Sequence, residues 1–114
     1  MDRSAKYKLI VRSVFDDIVR ELQEYTPEDG VRTEVVLDDS TGHYQIAEVG
    51  WSGDRRVHGI LLHCDVVDGK IHVEHDGLSA GVVDMLVATG VPPTDIVVGW
   101  HPPNLRHLTP YAAA

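Results

Sequence analysis

The dipeptide Asp68-Gly69 constrains the fold more than any other feature, because it separates two segments in which apolar and polar residues alternate. Asp-Gly is typical of a two-residue hairpin turn whose central residues need positive φ. The sequence therefore predicts that Val67 pairs with Lys70, and that residues 56–67 and 70–75 form antiparallel strands with a fixed register.

Two further turn signals extend this hairpin into a larger sheet. The run Asp39-Ser40-Thr41-Gly42 separates residues 31–38 from residues 43–51, and Ser52-Gly53-Asp54 precedes residues 56–67. Short β-branched segments divided by such turns are typical of consecutive antiparallel strands. Residues 31–75 therefore predict a four-stranded antiparallel β-meander.

Helices are predicted on both sides of the meander. Apolar residues between Tyr7 and Tyr25 recur at alternating spacings of three and four, which indicates an N-terminal helix that ends before Pro27. Ser79 is a candidate N-cap of a second, short helix, and Gly90 suits its left-handed C-terminal position. Residues 96–100 predict a short C-terminal strand. The expected fold is α+β, with residues 1–114 as one domain.

Composition limits the function classes. The chain has ten basic and eighteen acidic residues and a net charge of −8, so tight binding to nucleic acid or to an anionic membrane is not expected. Its single cysteine, Cys64, has apolar neighbours and is interpreted as a buried hydrophobe. No signal peptide or membrane span is recognisable, so we expect a cytoplasmic protein.

Histidines in the meander raise the question of a metal or catalytic site. The hairpin register places Leu62, Cys64, Val66, Ile71, Val73 and His75 on one face, and His63, Asp65, His72 and Glu74 on the other. In that register Asp65 lies opposite His72, and His63 lies opposite Glu74. These four residues could bind zinc or another divalent ion. Polar cross-strand pairs are also common on solvated sheet faces, and this second interpretation is favoured, so no cofactor is predicted.

The remaining candidates for chemistry are few. His58 is expected to face inward beside Ile60 and Leu62 as a neutral, hydrogen-bonded imidazole. His43 adjoins a turn and supports no inference. No GxSxG elbow or P-loop occurs, so an enzyme is not predicted. The alternative is a metal-dependent enzyme, for example a hydrolase, built on His63, Asp65, His72 and Glu74.

Aromatic and basic residues provide candidate interaction sites. Trp51 is expected opposite Arg56, where the guanidinium can brace the indole face. With Arg55, this pair could instead form a platform for a nucleic-acid base or an acidic peptide. Trp100 and His101, at the end of the C-terminal strand, complete the set of candidate interaction residues.

Several motifs resemble the XisI family, the fdxN element excision controlling factors. They are VGW followed by GDRRVHG at 49–59, DGKI at 68–71, GVP at 90–92 and DIVVGWHPP at 95–103. The resemblance implies a small α+β protein, widespread in cyanobacteria, that supports excision of a DNA element without being the recombinase. It implies a XisH-like nuclease or a site-specific recombinase as partner, with antitoxin-like inhibition of the nuclease as an alternative. It transfers no catalytic residues.

Apolar residues on both faces of the meander predict self-association. In the registers that the turns predict, one face carries Val35, Leu37, Tyr44, Ile46 and Leu61, and the other carries Val36, Ala47, Val49, Ile60, Leu62, Ile71 and Val73. If both helices cover the same face, the other face stays exposed. We therefore expect a homo-oligomer, most simply a two-fold dimer, or a partner that covers this surface.

Overall fold

The N-terminal helix is present as predicted. The computed structural model describes residues 2–24 and 30–114. Helix α1 spans Arg3–Glu24 and begins earlier than the apolar pattern indicates. Asp2 caps it, because its Oδ1 accepts a hydrogen bond from the Ala5 amide at 2.8 Å. The predicted end before Pro27 lies outside the described residues, and so does Tyr25.

The antiparallel meander is confirmed. Its strands are β1 (Val31–Asp38), β2 (His43–Ser52), β3 (Arg55–Val67) and β4 (Lys70–Asp76), each antiparallel to the next. Val67 pairs with Lys70, and the intervening Asp68 and Gly69 have φ angles of 51° and 75°. Both central residues are therefore in the left-handed region that a type I′ turn requires.

The turn between β1 and β2 is held by the Asp38 side chain. Its Oδ1 accepts hydrogen bonds from the Ser40 hydroxyl at 2.6 Å, the Ser40 amide at 2.9 Å and the Thr41 amide at 3.3 Å. These bonds favour the charged carboxylate and lower the pKa of Asp38 to about 2. Gly42 completes the turn with a φ of 74°.

A fifth strand makes the sheet mixed, which corrects the expectation of a four-stranded antiparallel sheet. Strand β5 (Ile96–Val98) lies parallel to β4, with Ile71 opposite Ile96, and the order is β1-β2-β3-β4-β5. Sequence analysis predicted the strand but not its pairing, because a parallel neighbour reached through a long crossover has no local turn signal. Beside β5, the Ala112 amide donates to the Ile96 carbonyl at 2.8 Å.

Helix α2 (Val82–Ala88) lies in the crossover from β4 to β5. The predicted N-cap at Ser79 is wrong, because the cap position is Gly81 and the Val82 amide donates instead to Oδ2 of Asp76 at 2.7 Å. Asp76, at the end of β4, therefore accepts the hydrogen bond from the first helical amide that Ser79 was predicted to accept. Gly90 follows the helix with a φ of 103°, as predicted.

Both helices pack against the same face of the sheet. The core joins Val11 and Phe15 of α1 and Val82 and Leu86 of α2 to a continuous set of sheet residues. That set comprises Tyr44, Ile46, Leu62, Cys64, Val66, Ile71, Val73, Ile96 and Val98. Neither α1 nor α2 packs on the opposite face of the sheet.

Two β-bulges change the predicted faces. Ile46 pairs with Leu62 while Ala47 pairs with Ile60, so Leu61 is an extra residue in β3. Leu62, and with it Ile71 and Val73, therefore lies on the covered face with Tyr44 and Ile46. The prediction that placed these three residues with Val36 and Ile60 is wrong. Leu61 packs against the core that contains Ile46, as predicted.

The second bulge lies in β4. Cys64 pairs with Val73 and His63 pairs with His75, so Glu74 is the extra residue. His75 is exposed opposite His63 and is not on the core face as predicted. His58 is also exposed, because the outer part of the β2–β3 hairpin has no helix over it, so the expectation of an inward imidazole is wrong.

We call the uncovered surface of the sheet the open face. The residues that the register assigns to it include Val36, His43, Gln45, Ala47, Trp51, Arg56, His58, Ile60, His63, Asp65, His72 and His75. They also include Val49 and Val97, which are only 8% and 2% exposed. The first half of β3 extends beyond the last β3–β4 pair, Leu62 with Asp76, so the sheet protrudes past its helices. The radius of gyration is accordingly 15.0 Å, compared with about 13 Å expected for a compact domain of this length.

Candidate functional site

The polar cluster predicted on one sheet face is only partly assembled. Asp65 lies opposite His72 in the β3–β4 register, as predicted. His63 does not lie opposite Glu74, because the β4 bulge places His75 there. Glu74 instead forms a pair with His72, with 3.9 Å between its Oε1 and the histidine Nδ1. The four predicted residues thus form two neighbouring groups.

A tighter group forms around the Asp65 carboxylate. Nδ1 of His43 lies 2.7 Å from Oδ1 of Asp65, and Nε2 of His63 lies 2.9 Å from the same oxygen. One ligand atom from each of these three residues lies within 4.8 Å of the others. We call His43, His63 and Asp65 the triad.

Sequence reasoning did not identify His43 as a member of this group. Counting back from the Trp51–Arg56 pair without a bulge places His43 opposite Cys64. The extra Leu61 advances the register by one residue, so His43 pairs with Asp65. The only sequence signal for this residue was its position directly after the Asp39–Gly42 turn, which does not identify its partner.

The predicted contact between Trp51 and Arg56 is present. The two residues pair across the β2–β3 hairpin, and the guanidinium carbon lies 5.5 Å from the indole centroid. Trp51 remains 52% exposed, so one side of the indole is available to a ligand. Arg55 is also exposed at this tip. A binding role for the three residues stays a prediction.

Trp100 and His101 border a separate shallow pocket. Its volume is about 260 Å³, and its wall includes Asp76, Asp84, Trp100, His101 and Tyr111. The His101 ring lies between Trp100 and Tyr111, with centroid distances of 6.2 and 6.4 Å. Trp100 is 53% exposed at the mouth. A role for this pair in recognition stays a prediction.

Three core side chains, those of Tyr7, Tyr44 and Cys64, have a raised pKa. Burial raises the pKa of the Cys64 thiol, which disfavours the reactive thiolate and agrees with its interpretation as a buried hydrophobe. Burial, followed by a hydrogen bond to Asp95, raises the pKa of Tyr7 to about 12. Asp95 also pairs with Arg3 at 3.4 Å. These groups stabilise the fold.

The class of protein defined by these features is a small α+β domain with two helices on one face of a mixed sheet and a polar, histidine-rich open face. The chain belongs to the XisI family, whose model, described as "XisI protein", matches residues 1–113. No curated protein shows significant sequence similarity to it.

In the described residues, no helix is long and apolar enough to cross a membrane.

Two solved structures agree with the family assignment. A XisI-like protein from Anabaena variabilis is 31% identical, with 97% of this chain and 99% of that chain covered and a TM-score of 0.88. The fdxN element excision controlling factor XisI from Anabaena variabilis is 29% identical, with 99% and 100% covered and a TM-score of 0.83. The fold resemblance therefore extends over nearly the whole of all three chains.

Proposed function

We propose that this chain is an accessory protein that controls excision of a DNA element by binding a protein of the excision machinery. The observation that carries the proposal is its similarity to the XisI controlling factor over 99% of this chain. The proposal assigns no reaction to the chain itself. A binding protein can control another protein only through different affinities for that protein's states.

The open face is the proposed binding surface. Its apolar side chains include Val36, which is 57% exposed, Trp51, which is 52% exposed, and Ile60, which is 40% exposed. These residues come from three adjacent strands, and Trp51 and Ile60 lie in the protruding half of the sheet. Exposed apolar side chains of this kind, rimmed by polar groups, are typical of protein interaction sites.

The partner that we propose is a XisH-like protein, because the family resemblance implies such a companion. A site-specific recombinase is the other partner that the resemblance implies. The net charge of −8 makes direct contact with DNA unfavourable, so DNA contacts are assigned to the partner.

An excision assay in the natural host tests this function. Deletion of the gene should reduce excision of the element, and the wild-type gene should restore it. A gene carrying Ile60→Asp should fail to restore excision, because a charge is placed in the apolar part of the open face. Leu9→Asp is the matched control, since Leu9 is 59% exposed but lies on α1.

Two outcomes would contradict the proposal. Normal excision in the deletion strain would show that the chain does not control excision. Loss of viability after deletion, relieved by also deleting a XisH-like gene, would indicate the antitoxin-like role instead. Equal rescue by the Ile60→Asp and Leu9→Asp genes would keep the control function but exclude the open face as its surface.

A further inference from the structure

The triad has a feature that ordinary surface hydrogen bonding does not require. Two imidazole nitrogens, from β2 and from within β3, approach the same oxygen of one carboxylate, at 2.7 and 2.9 Å. His63 and Asp65 are two residues apart on one strand, and the β3 bulge brings His43 opposite Asp65. Three good metal ligands therefore converge on one point.

The spacing of these atoms is close to that of a coordination shell. Zinc bonds to histidine nitrogen and carboxylate oxygen are about 2.0–2.2 Å long, so tetrahedral ligand atoms lie about 3.3 Å apart. The triad atoms lie within 4.8 Å of one another, and the two measured nitrogen–oxygen distances are slightly shorter than tetrahedral spacing. Replacing the bridging protons by a cation requires the nitrogens to withdraw by only about half an ångström.

The surroundings also suit a bound cation. Asp65 and His63 are mostly covered, with side-chain exposures of 17% and 25%, whereas His43 is 54% exposed. A metal would thus have three protein ligands and one side open to solvent. His72 lies opposite Asp65 on β4.

We propose that His43, His63 and Asp65 bind a divalent transition metal of the zinc and cobalt class. Two imidazoles and one carboxylate suit zinc, cobalt, nickel or copper better than magnesium or calcium, which take oxygen ligands. The inference rests on the geometry of the triad and is independent of the proposed excision function.

Cobalt and zinc binding to the purified full chain tests the proposal. After treatment with a chelator, the protein is titrated with Co²⁺ while visible absorption is recorded, and Zn²⁺ is then used to displace it. We expect one Co²⁺ per chain with the spectrum of a histidine-ligated site. Each of the variants His43→Gln, His63→Gln and Asp65→Asn should weaken binding at least tenfold.

His58→Gln is the matched control. His58 is an exposed histidine of the same strand and face, and it lies opposite Val49, away from the triad. This variant should bind Co²⁺ like the wild type. Circular dichroism without metal checks that the three ligand variants are folded. Absence of stoichiometric binding would overturn the proposal, and so would an equal loss of binding in His58→Gln, which would indicate adventitious binding to surface histidines.

Discussion

At the scale of single residues, the buried carboxylate of Asp95 shows how the fold accommodates charge. Asp95 is 8% exposed, and the hydroxyl of Tyr7 and the guanidinium of Arg3 both donate to it. A buried carboxylate without such partners would be costly, because it loses its hydration. These bonds also fasten α1 to the turn that precedes β5.

Tyr7→Phe should lower the free energy of unfolding by about 1–3 kcal/mol at pH 7, since it removes a donor to a buried carboxylate. The folded state raises the pKa of Tyr7 from 10.0 to about 12, so it holds this proton more tightly than the unfolded chain does. The stabilisation from Tyr7 is therefore complete below pH 10 and is lost as the pH rises toward 12.

Urea unfolding of wild type and Tyr7→Phe at several pH values measures this effect. The difference between the two unfolding free energies should narrow between pH 10 and 12. A difference that stays constant through this range would mean that folding does not raise the pKa of Tyr7.

At the scale of elements, sequence patterns predicted the helices, turns and strand pairs that depend on residues close together in the chain. Helix α1 follows from the three and four spacing of its apolar residues, and the β3–β4 register follows from Asp68 and Gly69. The parallel pairing of β5 with β4 could not be predicted in this way, because its partner is separated by the α2 crossover.

The candidate site was predicted less well, because it depends on the bulges. An extra residue in one strand reverses the face of all that follows. The extra residue Leu61 shifts the β2–β3 register so that His43 lies opposite Asp65. The extra residue Glu74 shifts the β3–β4 register so that His75, and not Glu74, lies opposite His63. Neither bulge is marked by a glycine or proline at that position. His63 and Asp65 were identified from strand alternation alone, because they lie two residues apart on β3.

Gly69→Val tests the turn that sets this register. Gly69 has a φ of 75°, a conformation that a β-branched residue resists, so we expect the free energy of unfolding to fall by more than about 1 kcal/mol. The amide of Gly69 also donates to the Ser4 hydroxyl at 2.8 Å, which links the turn to α1.

Gly59→Val is the matched control for this measurement by chemical denaturation. Gly59 lies in β3, where an added Cβ would meet nothing within 4 Å and φ is not positive. Its substitution should change the unfolding free energy by no more than about 0.5 kcal/mol. An unchanged denaturation midpoint for Gly69→Val would argue against the strain of the type I′ turn.

At the scale of the whole molecule, the open face is large enough to bind a second copy of the chain. Strand β2 has 10 residues, so it spans about 33 Å, and five strands about 4.8 Å apart give a width of about 19 Å. Each partner could bury about 600 Å², near the lower limit of a standard interface. The homo-oligomer predicted from sequence is therefore expected to be a two-fold dimer through this face.

Sedimentation equilibrium at micromolar concentrations measures this self-association. Wild type and Leu9→Asp should dimerise, whereas Ile60→Asp should remain monomeric because each copy would bury a charge in the interface. A monomeric wild type would contradict the dimer. Self-association and partner binding would compete for the open face, so an added partner should convert the dimer into a heteromeric complex.

The isolated chain should not bind duplex DNA tightly at physiological salt. The chain has ten basic and eighteen acidic residues, so its net charge repels the phosphate backbone. The exposed Arg55 and Arg56 at the hairpin tip also have the acidic Asp54 beside them. Electrophoretic mobility shift measures this directly. Submicromolar binding that falls with salt and with Arg55→Ala and Arg56→Ala would contradict this prediction and support the Trp51 platform as a nucleic-acid site.

The most direct test of the central claim is the dissociation constant between the purified chain and the XisH-like protein of the same organism, measured by isothermal titration calorimetry. The proposed open-face interface predicts binding that Ile60→Asp weakens at least tenfold and that Leu9→Asp leaves unchanged, because only Ile60 lies on the open face. Absence of binding by the wild type, or equal binding by both variants, would contradict it.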